Sequence, residues 1–127
     1  MKKKNYKKYD FIFNEGTYGD SAYMIDFGKV GIISETKQND KRKLLATLKK
    51  DDIFGEMGLI DNKVRTATAI ALEDTQVSVI SKKTFDYLLK NDPFALRPLL
   101  KVLSHRLRNT TNLLQEYYRR PLLNLKH

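Results

Sequence analysis

The chain has 127 residues, 41% of them hydrophobic, which is enough for one ordinary domain whose core needs no covalent staples. It has no cysteine, so disulfides, thiolate zinc sites, iron–sulfur clusters and a catalytic thiol are excluded, and its two histidines, His105 and His127, lack partners at metal-ligand spacing. The formal charge of +9 gathers at the ends: residues 1–10 carry +4 and residues 82–127 carry +7, while residues 51–81 carry −4.

Lysine-rich ends suit solvated arms, phosphate contacts or an anionic surface, and charge alone does not choose among them. No apolar run approaches membrane-spanning length, and the N-terminal lysines precede no apolar stretch that would make a signal peptide. A cytoplasmic protein without a transmembrane segment, a metal or a cofactor is expected.

Residues 1–9 read as a basic lead-in, to which the pattern assigns no structure. From Asp10 short apolar alternations are broken by glycines. Phe11 and Phe13 precede turns at Glu15-Gly16 and Gly19-Asp20. Tyr23 and Ile25 precede Phe27-Gly28-Lys29, and Val30 and Ile32 are followed by an out-of-phase Ile33. The spacing predicts antiparallel strands over about 10–14, 21–27 and 29–36. Residues 36–42 form a polar hairpin tip, and Leu44, Leu45, Ala46 and Leu48 make the returning strand. Lys50-Asp51-Asp52 turns the chain toward Ile53 and Phe54. Alternation resumes through Ala67, Ala69 and Ala71, then Val77, Val79 and Ile80 after a turn at Glu73-Asp74. Many short strands with regular turns argue for a barrel or jelly-roll-like body over about 10–81.

The period then changes to about 3.6 and helices are expected over about 82–120. Ser81 can cap the first, whose buried stripe is Phe85, Leu88 and Leu89. Asn91-Asp92-Pro93 ends it and restarts another, with Asp92 as cap. Pro98 calls for a kink or a fresh helix start, and Pro121 is expected to stop the last helix. Along that helix Leu100, Leu103, Leu107, Thr110, Leu114 and Tyr117 step by three and four, the seam spacing of a coiled coil. Leu99, Val102, Leu113 and Tyr118 form a second set suited to pack on the body. A homodimer through about 98–118 is therefore expected.

The stretch Phe54-Gly55-Glu56-Met57-Gly58-Leu59-Ile60-Asp61-Asn62-Lys63-Val64-Arg65-Thr66-Ala67-Thr68 organises the rest. Gly55 lets a ligand approach the main chain closely, and the run from Glu56 to Ile60 can make one helical turn whose N–H groups attract an anion. Arg65 can pair with two phosphate oxygens at once. Glu56 would repel phosphate but can accept a hydrogen bond from a ribose hydroxyl, so the ligand implied is a nucleotide with phosphate and ribose side by side. A hairpin loop with a surface salt bridge is the plainer alternative.

These residues resemble the phosphate-binding cassette of cyclic nucleotide-binding domains, the module of catabolite activator proteins, cyclic-nucleotide-dependent protein kinases and cyclic-nucleotide-gated channels. Gly55, Glu56, Gly58, Leu59, Arg65, Thr66 and Ala67 fall in the family's register without insertion, and Phe13-Asn14-Glu15-Gly16, Gly19-Asp20-Ser21-Ala22-Tyr23-Met24-Ile25 and Gly28-Lys29-Val30 resemble its opening. The resemblance implies an antiparallel double-stranded β-roll followed by C-terminal helices, a mainly β fold with C-terminal α. It implies a non-enzymatic regulatory domain in which Glu56 takes the ribose 2′-OH, Arg65 the cyclic phosphate, and Gly55, Met57 and Gly58 offer main-chain donors. Phe54, Leu59 and Ala67 complete the expected contact set. Thr66 is expected to touch the phosphate or a guanine amino group, and cyclic AMP is preferred slightly over cyclic GMP. Arg106-Leu107 with Thr110-Thr111 resembles the activator segment whose hydroxyl pair reaches the purine, so Thr110 and Thr111 are expected on the base. No helix-turn-helix follows Pro121, so no nucleic-acid contact is expected from this chain alone. The rival readings are the sensory half of a DNA-binding regulator and a ligand-independent protein–protein adaptor.

Overall fold

The computed structural model describes residues 1–38, 41–61 and 63–123, with the backbone alone at 36–38, 41, 106, 110, 113, 114 and 116–123. In chain order the strands are β1 (Lys2–Tyr6), β2 (Phe11–Phe13), β3 (Ala22–Phe27), β4 (Val30–Gln38), β5 (Lys41–Leu48), β6 (Ile53–Phe54), β7 (Thr68–Ala71) and β8 (Thr75–Ile80). A four-residue helix, α1 (Met57–Ile60), interrupts them, and α2 (Lys82–Asn91), a 3₁₀ turn (Pro93–Leu96) and α3 (Arg97–Leu123) follow. The strands form two four-stranded sheets, ordered β1-β8-β3-β6 and β2-β7-β4-β5, with antiparallel pairing throughout. This is the expected β-roll with helices after it.

Between the sheets lie Tyr23, Ile25, Val30, Phe54, Ala69 and Val77, with Phe13, Ile32 and Leu48 packed against them. The rings of Phe13, Tyr23 and Phe54 meet at centroid distances of 6.0, 6.0 and 5.3 Å. The other face of β3 and β8 is also covered: Ala22, Ile53, Leu59 and Ile80 gather around Leu99 of α3, flanked by Met24, Phe85, Val102 and Leu103. Ala22, Tyr23 and Ile25 are all buried because β3 is covered on both faces, by the opposite sheet and by the helices.

Several boundaries differ from the sequence expectation. The basic lead-in is a strand: Lys2 to Tyr6 pairs with Val79 to Thr75. Its side chains are mostly exposed, so it shows no alternation, and main-chain pairing plus one polar cluster hold it. In that cluster Lys3 Nζ donates to Asp26 Oδ2 (3.0 Å) and Ser78 Oγ (2.6 Å), while Ser78 and Gln76 donate to Asp26. Asp26 lies where the β3–β8 register shifts, between Ile25 and Phe27. The break of pattern at Ile33 likewise coincides with a register shift. Strands β4 and β5 run further into the polar hairpin than expected, to Gln38 and from Lys41, because main-chain pairing does not need apolar side chains.

In the helices, Ser81 caps α2 by accepting the Thr84 N–H at 3.1 Å. Phe85 and Leu88 are half-buried, but Leu89 is 57% exposed and does not belong to the packed stripe. Asp92 makes no side-chain cap bond; its main-chain carbonyl takes the Ala95 N–H instead. Pro98 stands in the first turn of a fresh helix, where the missing N–H would have had no helical acceptor. Pro121 does not stop α3, which continues to Leu123; what a proline forfeits inside a helix is one hydrogen bond to the preceding turn.

Candidate functional site

The motif stretch folds around Arg65. The loop after β2 runs alongside the segment before β7: Gly16 N–H donates to Arg65 O, Arg65 N–H donates to Thr17 O, both at 2.8 Å, and Tyr18 bridges Val64. Thr68 Oγ1 locks the same loop by accepting the Glu15 N–H and donating to Glu35 Oε1, both at 2.9 Å. Arg42 pairs with the other oxygen of Glu35 at 3.1 Å.

That pairing sends the Arg65 side chain inward, where it is 6% exposed. Nη1 donates to Gly55 O at 2.7 Å and Nη2 to Ser21 O at 2.8 Å, and the guanidinium carbon lies 4.3 Å from the Phe13 ring centre. Nε is buried without a hydrogen bond. Burial pulls the guanidinium's pKa below its ordinary value, opposed by Tyr23 and Asp20, and an arginine nonetheless stays charged. The structure therefore keeps a buried cation among main-chain carbonyls and aromatic rings, an arrangement suited to an incoming anion.

Beside it is a hollow of about 180 Å³ lined by Phe13, Ile32 and the motif residues from Phe54 to Gly58, Asp61, and from Lys63 to Ala67. Gly55 has φ +71°, a conformation that favours glycine, and this turns the chain from β6 into α1. Glu56 is fully buried and lines the same hollow as Arg65. Thr66 is exposed at the wall and Ala67 half-buried.

Of the expected contact residues, Phe54, Gly55, Glu56, Met57, Gly58, Arg65, Thr66 and Ala67 therefore come together. Leu59 does not line the hollow; it is 2% exposed in the cluster around Leu99, because one turn of helix points its apolar residue at the core. The N–H groups of Gly58 and Leu59 are engaged within the turn, by Gly55 O and Glu56 O, which narrows the expected set of anion donors on α1. Thr111 is exposed on α3 and is not among the lining residues, and the side chain of Thr110 lies outside the description.

Sequence reasoning missed Phe13, Ile32, Asp61, Lys63 and Val64 in the wall, and Ser21 and Tyr23 against Arg65. Asp61, Lys63 and Val64 lie inside the motif and could have been included. Phe13 and Ile32 carry only the signal of core strands.

A family model described as the cyclic nucleotide-binding domain matches residues 3–92. The chain is 33% identical over 97 residues to the cyclic AMP receptor protein of Thermus thermophilus, covering 76% of this chain and 44% of that protein. It is 39% identical over 82 residues to human cGMP-dependent protein kinase 2, covering 64% of this chain and 11% of the kinase. The crystal structure of Thermus thermophilus catabolite activator protein superposes with a TM-score of 0.80 at 29% identity, over 91% of this chain and 54% of that one. The chain belongs to the cyclic nucleotide-binding domain family, a regulatory rather than catalytic module. It spans less than half of each of these two sequence relatives.

Proposed function

We propose that this domain is a sensor that binds a cyclic nucleotide in the hollow beside Arg65 and transmits its occupancy to the C-terminal helices. The observation that carries the reading is the convergence of Glu56, Arg65 and Thr66 with the Gly55–Gly58 main chain on one cavity. A cyclic phosphate would take the charge of Arg65 and a hydroxyl or N–H at Thr66, while the ribose 2′-OH would donate to Glu56. Cyclic AMP is the ligand to test first, in line with the similarity to the Thermus cyclic AMP receptor protein, and cyclic GMP is the alternative raised by the kinase relative and by Thr66.

The route outward runs through α1. Met57 and Gly58 line the hollow, and Leu59 packs on Leu99 at the start of α3, so a shift of the short turn reaches the long helix directly. Leu100 and Leu107, one heptad apart, are 58% and 69% exposed, which supports a homodimer through α3, although Leu103 between them leans on the roll. In such a dimer Thr110 and Thr111 would be presented to the base by helix movement or by the second copy. The activator relative favours one wider role, the sensory half of a DNA-binding regulator.

Titration calorimetry with both nucleotides tests the reading. Saturable micromolar binding of at least one is expected, and binding of neither rejects it. Arg65→Ala should weaken binding by about a hundredfold, as loss of a buried charge-assisted pair does. Glu56→Gln should cost about tenfold with cyclic AMP and nothing further with its 2′-deoxy analogue, since the hydrogen bond concerned is then already gone. Sedimentation of Leu100→Glu and Leu107→Glu, expected monomeric beside a dimeric parent, tests the helix contact.

A further inference from the structure

Gly19 reads in the sequence as a turn residue of the roll, yet the structure gives it no turn-like reason to be glycine. Gly16, Gly28 and Gly55 have positive φ, and Gly19 does not. What Gly19 lacks is room. A Cβ there would lie 2.6 Å from Nη2, 2.7 Å from Nε and 2.9 Å from Cζ of Arg65, in the notch on that edge of the guanidinium. This is also the edge whose Nε is buried without a hydrogen bond, as expected where the neighbour is a CH₂ group rather than an acceptor. The side chain cannot step aside freely, because Nη1 and Nη2 are tied to Gly55 O and Ser21 O and the Phe13 ring lies 4.3 Å from Cζ.

We infer that Gly19 is a positioning residue for Arg65: its missing side chain sets where the guanidinium rests, and through that how tightly the hollow holds a phosphate. The part concerning phosphate rests on the cyclic nucleotide reading above; the part concerning the guanidinium does not. A methyl group at 19 would move the guanidinium off the Ser21 carbonyl, and a larger side chain would move it further. Ser81 supplies the contrast. It caps α2 by accepting the Thr84 N–H and is not among the residues that line the hollow. Ser81→Ala thus costs stability without touching Arg65.

The test is a cycle of wild type, Gly19→Ala, Arg65→Ala and the double variant, with Gly19→Val as the graded step and Ser81→Ala as control. In ligand-free thermal melts Gly19→Ala should lower Tm by about 5 °C with Arg65 present and by much less in the Arg65→Ala background, where the collision is gone. With cyclic AMP, Gly19→Ala should weaken binding several-fold and Gly19→Val by about tenfold or more, while Ser81→Ala stays near wild-type affinity despite its lower Tm. An equal Tm cost with and without Arg65, or Gly19 variants that bind no worse than Ser81→Ala, would overturn the inference. If the wild type binds neither cyclic AMP nor cyclic GMP, the functional reading falls, and the melts still decide whether Gly19 places the guanidinium.

Discussion

Around Arg65 two distant parts of the chain close on one side chain: Phe13 with the segment from Gly19 to Tyr23, and the Gly55–Gly58 turn with the segment that carries Arg65 itself. Helix α3 is attached far more sparingly. In its first turns Leu99 is buried at 3% exposure and Val102 and Leu103 are half-buried, while Leu100 and Leu107 face outward. Many short contacts hold the ligand side, and among the described side chains of α3 it is Leu99, flanked by Val102 and Leu103, that anchors the side that would report. On the sensor reading proposed above, this contrast would let the helix shift while the hollow keeps its shape, the division of labour a two-state sensor needs.

Breaking the anchor should show this most strongly. Leu99→Ala is expected to cost about 2–5 kcal/mol through the cavity it leaves, with amide exchange rising first in α3 and later in β3 and β8. Uniform loss of protection across both would mean that helix and roll form one cooperative unit. Next in size, Arg65→Ala should destabilise the ligand-free domain by about 1–3 kcal/mol, since it leaves the carbonyls of Gly55 and Ser21 without their donors. Urea denaturation without nucleotide measures this, and an unchanged midpoint would show that the guanidinium is present for ligand alone.

Smaller effects sharpen the comparison. Ser81→Ala removes the cap of α2 and should cost about 1 kcal/mol, seen as a lower Tm with little change in nucleotide affinity. The smallest concerns Asp26, whose carboxyl would be raised by burial but is brought below its ordinary value by hydrogen bonds from Gln76, Lys3 and Ser78 and by the Lys3 charge. A depressed carboxyl contributes stability above its unfolded pKa and loses it as pH falls through the folded value. Asp26→Asn should therefore lower Tm slightly at neutral pH, and the difference should begin to shrink near the ordinary carboxyl pKa of about 4 and close only at lower pH, where the folded carboxylate protonates. A difference that persists in acid would assign the role to shape rather than charge.

Legibility in the sequence followed burial. Strand β4 shows its alternation where Val30 and Ile32 face the core, whereas in β2 Phe11 is 43% exposed and Ile12 and Phe13 both pack on the core; the motif from Phe54 to Ala67 placed most of the hollow because its residues are neighbours in the chain. Strand β1 was invisible because its side chains are solvated and its partners are main-chain groups of β8. Leu59 was assigned to the ligand because adjacency cannot tell which way one turn of helix faces; the cluster around Leu99 decides that.

Local chemistry by itself determined a body of short antiparallel strands with helices after it, because periodicity survives in one dimension, and the resemblance of one contiguous motif supplied the family and the candidate cation and carboxylate. Only the tertiary structure decided that Arg65 lies inward on the carbonyls of Gly55 and Ser21, and that a glycine forty-six positions earlier makes room for it. The contacts with Ser21 and Gly19 join the motif to a stretch more than forty residues away, and steric exclusion acts between atoms only once the fold has brought them within a bond length or two of each other.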